Sequence, residues 1–121
     1  MLDCSKVYIA EARGGAGAFA AQAIKEGEIV EYGIARRLPV GFDGNESPYV
    51  FTWSEDRQVW AIGSGCSTFY NCSAEPNTKM HRDFDSDTFK IFALRDIEQG
   101  EELTHTYKSL NWRKCFADLR D

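Results

Sequence analysis

The sequence has no long apolar run, which excludes a transmembrane helix from its expected features. Its uninterrupted apolar stretches extend for only a few residues, as at 91–94, far short of the roughly 18 that cross a bilayer. The first 20 residues also lack the basic start and apolar run of a secretory signal peptide. We therefore expect an intracellular protein without a membrane span.

Positive charge is also in short supply. Fourteen lysines and arginines face 19 aspartates and glutamates, which gives a formal net charge of −5. This is the wrong sign for a protein that binds a phosphate backbone, so we expect no direct nucleic-acid partner. A basic peptide or a zwitterionic metabolite suits such a surface better, although a mild negative charge is also common among soluble proteins in general.

Metal-binding patterns are missing as well. The four cysteines, Cys4, Cys66, Cys72 and Cys115, form no CxxC pair, and the chain has only two histidines. A zinc ribbon is not encoded, and we expect no metal site. Without a secretory signal, the thiols are expected to be reduced and mostly buried.

The composition that is present predicts one folded domain over residues 1–121. Hydrophobic residues make up 43% of the chain and aromatic residues 13%, which suffices for a packed core. β-branched and aromatic residues concentrate in short runs separated by glycine-rich turns, which predicts a mainly β fold with strands at 6–10, 28–35, 49–53, 58–62, 88–94 and 102–107. Helical spacing occurs at Trp112, Phe116 and Leu119, which predicts a C-terminal helix.

Two segments, 19–30 and 92–103, follow a similar course. Each has an aromatic residue followed by alanine, then an isoleucine, a Gly-Glu turn and a new strand. We interpret the similarity as two equivalent turns between strands, without duplication of function.

Three motifs stand out in order along the chain: a glycine-rich segment at 14–20, Asn-Cys-Ser-Ala-Glu-Pro-Asn at 71–77, and Gly-Glu-Glu-Leu-Thr-His-Thr-Tyr at 100–107. The first is no phosphate-binding loop, because no Lys-Ser/Thr follows and Ala20 stands where a third glycine belongs. Together the three motifs resemble the SET domain of protein-lysine methyltransferases, over about residues 6–112. Compact stand-alone SET proteins of viruses and fungi are the most similar type, which implies a β-clip-like fold of several small curved sheets around a C-terminal pseudoknot, with short helices.

The resemblance implies a binding site for S-adenosylmethionine. The backbone of Gly15, Ala16 and Gly17 would hold the methionine part of this cofactor. Asn71 and the main chain of Cys72 would hold its amino-acid and adenine ends. By the same resemblance, Trp112 would pack on the adenine and Tyr107 would lie beside Asn71.

Catalytic roles also follow from the resemblance. Tyr107 would be the active-site tyrosine, and Tyr49 a second wall of the substrate pocket. A lysine must attack as a neutral amine, and its reference pKa of about 10.4 makes deprotonation at pH 7 cost roughly 4–5 kcal/mol. A dry aromatic channel beside a sulfonium lowers that cost, and Tyr107 would orient the amine through its hydroxyl group.

His105 occupies the position two before this tyrosine, where the family usually has an aromatic or aliphatic residue. It either lines the lysine channel, where protonation near its reference pKa of about 6.5 would slow the reaction, or is an ordinary strand histidine. His81 is expected in a solvated loop. The acidic side chains at 83, 85 and 87 are either a solvated hairpin tip or a shelf for a basic substrate tail.

Three residues depart from the family pattern: Ala16, Cys72 and Lys108. The expected activity is methyl transfer to lysine in a protein, a histone tail above all. The alternatives are a non-histone substrate, a catalytically weak module that binds peptide or cofactor, and a structural β-domain without a ligand. A symmetric homodimer is expected, located in the nucleus, or a host nucleus, if the substrate is histone and in the cytoplasm otherwise.

Overall fold

The fold was analysed in a computed structural model that describes residues 2–12, 15–44, 49–56 and 58–106. Nine strands occur in this part of the chain: β1 (Val7–Ala12), β2 (Gly15–Ala20), β3 (Ile29–Arg37), β4 (Phe51–Thr52), β5 (Trp60–Gly63), β6 (Asn71–Cys72), β7 (Thr78–Asp83), β8 (Thr88–Ala93) and β9 (Glu102–His105). A 3-10 turn, Ser67–Phe69, precedes β6. The prediction of a mainly β fold is confirmed.

The strands form two sheets. One has four strands in the order β1-β2-β9-β6, and the other has five in the order β4-β5-β3-β8-β7. All pairs are antiparallel except β6 with β9, which run parallel. Parallel neighbours need a long crossover connection. Here the connection between β6 and β9 contains the entire β7–β8 hairpin.

The two segments with a similar course contact each other directly. Ile24 and Ile97 form an isolated antiparallel bridge, with N···O distances of 2.9 and 2.7 Å in the two directions. Gly27 and Gly100 end the corresponding turns with φ of +84° and +85°, a conformation that glycine adopts at little cost. The similarity is therefore structural, as interpreted from the sequence, and these turns join the two sheets.

The core lies where the sheets face each other. Phe89 and Ile91 of β8, Leu103 of β9, and Trp53 and Tyr70 from the connecting segments are all at most 1% exposed. Burial of each large apolar side chain contributes about 1.5–3 kcal/mol to stability. In the described part of the chain, no helix is long and apolar enough to span a bilayer.

Several expected features differ in detail. Strands β2, β6 and β7 were not predicted, since glycines and turn-forming residues dominate the first two segments and charged residues the third. His81 is solvent-exposed as expected, but it lies on β7 and not in a loop. The turn between β7 and β8 does hold the acidic hairpin tip, although Asp87 there binds the Arg37 guanidinium at 2.9 Å. The predicted C-terminal helix falls outside the described residues.

Candidate functional site

Three neighbouring strands, β2, β9 and β6, bring the three sequence motifs together. Asn71 of β6 lies opposite Thr104 of β9, and β9 in turn pairs with β2 through Ala18 and Phe19. The Asn71 side-chain amide donates a hydrogen bond of 2.8 Å to the carboxylate of Glu102 and one of 3.5 Å to the carbonyl of Ala16. Residues far apart in sequence thus converge at one end of the four-stranded sheet.

Glycine is required at this meeting point. A Cβ at position 17 would lie 2.8 Å from Ala12 Cβ, 2.8 Å from a Glu102 carboxylate oxygen and 3.0 Å from the Asn71 amide nitrogen. Such distances are too short for carbon against any of these atoms. Gly17 therefore lets β2 approach Asn71 and Glu102.

Next to this contact, β2 presents exposed backbone. Gly15 and Ala16 are exposed, and residues 15–17 extend β2 past its pairing with β9, which takes in Ala18 and Phe19. Gly15 also has φ of +141°, which only glycine adopts readily. The main chain of residues 15–17 can therefore bind a polar ligand beside Asn71.

A second asparagine of the same motif fixes β9. Asn77 is 2% exposed, accepts a hydrogen bond of 2.8 Å from the Thr104 amide, and donates one of 2.8 Å to the Glu102 carbonyl. The neighbouring Thr78 hydroxyl donates to the Thr104 carbonyl at 2.8 Å. The segment 71–78 therefore holds β9 by its side chains as well as by strand pairing.

Cys72 lies opposite His105 in the parallel pair. The pairing continues one residue further, because the Ser73 amide donates to the His105 carbonyl at 2.9 Å and the Thr106 hydroxyl donates to the Ser73 carbonyl at 2.5 Å. The side chain of Cys72 is half-buried. The pairing with β9 therefore positions the backbone of Cys72, whichever side chain stands there.

His105 is 4% exposed and packed between aromatic rings. Its ring stacks on Tyr70 with centroids 5.7 Å apart, and Phe51 contacts it edge-on at 6.2 Å. Burial, with a smaller contribution from the positive charge of Arg82, lowers the pKa of His105 to about 4. The imidazole of His105 is therefore neutral at neutral pH, since desolvation disfavours the imidazolium, and any effect of its protonation is expected well below pH 6.5.

A cavity of about 230 Å³ lies against His105. Its lining includes Phe51, Met80, Arg82 and Thr106. Arg82 Nε is buried and has no hydrogen-bond partner among the described residues, and desolvation lowers the pKa of its guanidinium. The lining of the cavity thus combines apolar side chains with a buried guanidinium.

Phe51 and Arg82 were missed by sequence reasoning. Arg82 follows Thr78 and Met80 at alternate positions of β7, all more buried than the residues between them, and this period of two was the available signal. Tyr49, expected as a pocket wall, is 61% exposed. Tyr107, Trp112 and Lys108 lie outside the described residues, so their expected roles stay predictions.

The three described thiols, Cys4, Cys66 and Cys72, are free and half-buried. Cys4 and Cys66 lie together with Glu31: the two sulfurs and a carboxylate oxygen are within 4.8 Å of one another. This cluster lies apart from the contacts around Asn71.

Comparison with known proteins identifies related sequences. A family model described as SET domain matches residues 15–108. A histone-lysine N-methyltransferase of Schizosaccharomyces pombe, specific for lysine 37 of histone H3, is 31% identical over 64 residues. The match takes in 53% of this chain and 42% of that protein, so the chain spans less than half of the curated relative.

Solved structures show the same fold. A Plasmodium falciparum chain described as a candidate histone methyltransferase has a TM-score of 0.68 at 24% identity, over 84% of this chain and 92% of that one. The Chaetomium thermophilum polycomb repressive complex 2, in an autoinhibited state bound to S-adenosylmethionine, has a TM-score of 0.74 at 24% identity. That match takes in 97% of this chain and 17% of the other.

Proposed function

The chain belongs to the SET-domain family, and from this premise we propose that it is a protein-lysine N-methyltransferase that uses S-adenosylmethionine. The observation that carries the proposal is the convergence of Gly17, Asn71 and Glu102 beside the exposed residues Gly15 and Ala16. This is the place that family resemblance assigns to the cofactor. No metal is needed for this chemistry.

The residues present fit such a cofactor. Its amino-acid end carries an ammonium and a carboxylate, which need acceptors and donors respectively. The backbone of residues 15–17 and the main chain of Cys72 supply both kinds of group, while the Asn71 amide nitrogen is already directed toward Glu102. The Asn71 carbonyl oxygen can then accept from the ammonium. When bound, the cofactor supplies an electrophilic methyl group on a positively charged sulfonium.

The substrate amine must lose its proton before it attacks. His105 stays neutral at pH 7 because its pKa is about 4, so it adds no positive charge against the incoming lysine. The cavity beside it is lined by Phe51 and Met80 together with Arg82. Apolar walls and a nearby guanidinium both favour the neutral amine over the ammonium. We propose that Tyr107 and Tyr49 complete the channel and orient the amine.

Histone is the proposed substrate class. The support is the role of the Schizosaccharomyces pombe relative, a histone-lysine N-methyltransferase, and the net charge of −5, which suits a basic tail. A histone substrate places the protein in a nucleus. A non-histone protein substrate is the alternative, with a cytoplasmic location.

The decisive experiment is mass spectrometry of a histone panel and of a cell extract incubated with the protein and S-adenosylmethionine. We expect a mass gain on lysine in one histone, and the spectra also give the number of methyl groups. The matched control is Tyr107→Phe, which we expect to lower turnover at least about tenfold while the cofactor Kd changes little, since the hydroxyl orients the reacting groups.

A catalytically weak module is the second candidate, favoured by the departures at Ala16 and Cys72. Isothermal titration calorimetry distinguishes the two. Cofactor binding without methylated product on any substrate favours the module, and an absence of both binding and product refutes both candidates. Turnover by Tyr107→Phe equal to that of the unmodified protein would remove Tyr107 from the mechanism.

A further inference from the structure

A cluster around Glu31, which accepts a hydrogen bond from the Tyr70 hydroxyl, has no part in the proposed methyl transfer. It comprises Cys4, which precedes β1, Glu31 of β3, and Cys66, which follows β5. Their sulfurs and a carboxylate oxygen lie within 4.8 Å of one another. We propose that this cluster is a binding site for a thiophilic divalent cation, with Zn²⁺ as the expected ion.

The donor set matches the ion. Zn²⁺ takes thiolate sulfur at about 2.3 Å and carboxylate oxygen at about 2.0–2.2 Å in tetrahedral geometry, which puts the donors roughly 3.5–3.8 Å apart. The observed separations are at most 4.8 Å, so the donors need to close by at most about 1.3 Å. Three protein ligands leave the fourth position to water.

Glu31 is a buried carboxylate, and no lysine or arginine of the described residues forms an ion pair with it. It is 1% exposed, and among the described residues no ion pair reaches it. Its two oxygens accept hydrogen bonds of 2.9 Å from the Cys66 amide and from the Tyr70 hydroxyl. A buried carboxylate with only neutral donors is costly, and a cation held by the two neighbouring sulfurs would offset that cost.

The turn that carries Cys66 is shaped around the carboxylate. Gly65 has φ of +63°, and a Cβ there would lie 2.4 Å from a Glu31 oxygen. Any other residue would displace the turn from Glu31. The backbone thus holds Cys66 next to the carboxylate before an ion binds.

Metal uptake would convert thiols to thiolates. Burial, and then the negative charge of Glu31, raises the pKa of the Cys66 thiol to about 12. Coordination deprotonates a thiol outright, so the ion displaces protons when it binds. The bound state would join the segment before β1, strand β3 and the turn after β5.

The test uses the full chain, kept reduced and stripped of metal with a chelator. Native mass spectrometry after addition of one equivalent of Zn²⁺ should show one ion per chain. With Co²⁺ as the probe, a thiolate-to-cobalt charge-transfer band should appear in the near ultraviolet. Competition against a chromogenic chelator gives the affinity.

Cys4→Ser and Cys66→Ser should each weaken Zn²⁺ binding by more than the roughly 10- to 100-fold that loss of an outer-shell partner costs. Cys72→Ser and Cys115→Ser are the matched thiol controls and should keep the affinity. Glu31→Gln should weaken binding too, with circular dichroism as the check that it folds. If Glu31→Gln does not fold, Cys4→Ser tests the site in its place, because Cys4 is half-buried and lies outside the strands.

The proposal would be overturned if the reduced protein took up neither Zn²⁺ nor Co²⁺. A Cys4–Cys66 disulfide that had formed before reduction would not change this conclusion. Equal losses of affinity in Cys4→Ser and Cys72→Ser would also overturn it, since binding would then be general to thiols. Neither measurement depends on methyl transfer. The metal site and the proposed function can therefore fail separately.

Discussion

Asn71 and Glu102 are joined by a hydrogen bond of 2.8 Å between the amide nitrogen and a carboxylate oxygen, although 31 positions separate them in the sequence. The bond directs the Asn71 nitrogen toward β9. Its carbonyl oxygen is the acceptor that remains. This orientation determines which part of a ligand the asparagine can hold.

Asn71→Ala should therefore weaken S-adenosylmethionine binding by about 1–3 kcal/mol, or roughly 5- to 150-fold in Kd, because a buried polar group loses its partner. Calorimetry of the purified variant measures the change. The matched control is Ser73→Ala, whose backbone amide still bonds to the His105 carbonyl. Equal affinity in Asn71→Ala and the unmodified chain would show that the ligand lies elsewhere.

Asn77→Ala should act on stability. The variant removes the acceptor of the Thr104 amide and the donor to the Glu102 carbonyl in a site that is 2% exposed. Each buried group left without a partner costs about 1–3 kcal/mol. Urea unfolding should show a lower midpoint at an unchanged slope. If Asn77→Ala unfolds at the same urea concentration as the unmodified protein, the hydrogen bonds from Asn77 to β9 do not contribute to stability.

His105 should make stability depend on pH. Its pKa is about 4 when folded and 6.5 as the reference value, so the unfolded chain binds more protons between these values. The stabilisation is complete above pH 6.5 and is lost as the pH falls toward 4, by a total on the order of 3 kcal/mol.

The measurement is the free energy of unfolding at pH 7.5 and pH 5. His105→Phe should lose part of the decrease, because the ring does not titrate. His81→Gln should keep the full decrease, since His81 is exposed on β7. If the free energy of unfolding depends on pH identically in His105→Phe and in the unmodified protein, the prediction is wrong and the imidazole is exposed to water.

A symmetric dimer is the fourth prediction. We expect light scattering to give about 27 kDa, twice the 13.7 kDa of one chain. The described surface has several exposed apolar side chains that an interface could cover, among them Tyr8, Ile9, Ile34 and Ile62. A monomer at micromolar concentration would remove the dimer without affecting the proposed enzymatic activity.

Local sequence patterns predicted the strand-rich class well, because β-branched runs such as 29–37 and 88–93 alternate with glycine turns. Strand β2 was missed since five of its six residues are glycine or alanine, which give no period-two signal. Its strand state comes from pairing with β1 and β9, which no local pattern encodes.

The candidate site was only partly predictable for the same reason. Gly17, Asn71 and Cys72 were identified through a motif, and the structure brings the strands that carry them together. The low pKa of His105 and the cavity wall at Phe51 arise from packing between segments more than 50 positions apart. Desolvation of this kind depends on the tertiary structure.

Strand β9 lies between β2 and β6 and is the last described strand to be synthesised. While a ribosome is still translating codons before 102, β2 has no neighbour on that side and Asn71 has no carboxylate to bind. Long-range pairing of this kind is slow to form, and an unpaired strand edge invites association with other chains. The nascent chain therefore joins β2 to β6, and forms the hydrogen bond between Asn71 and Glu102, in one late step.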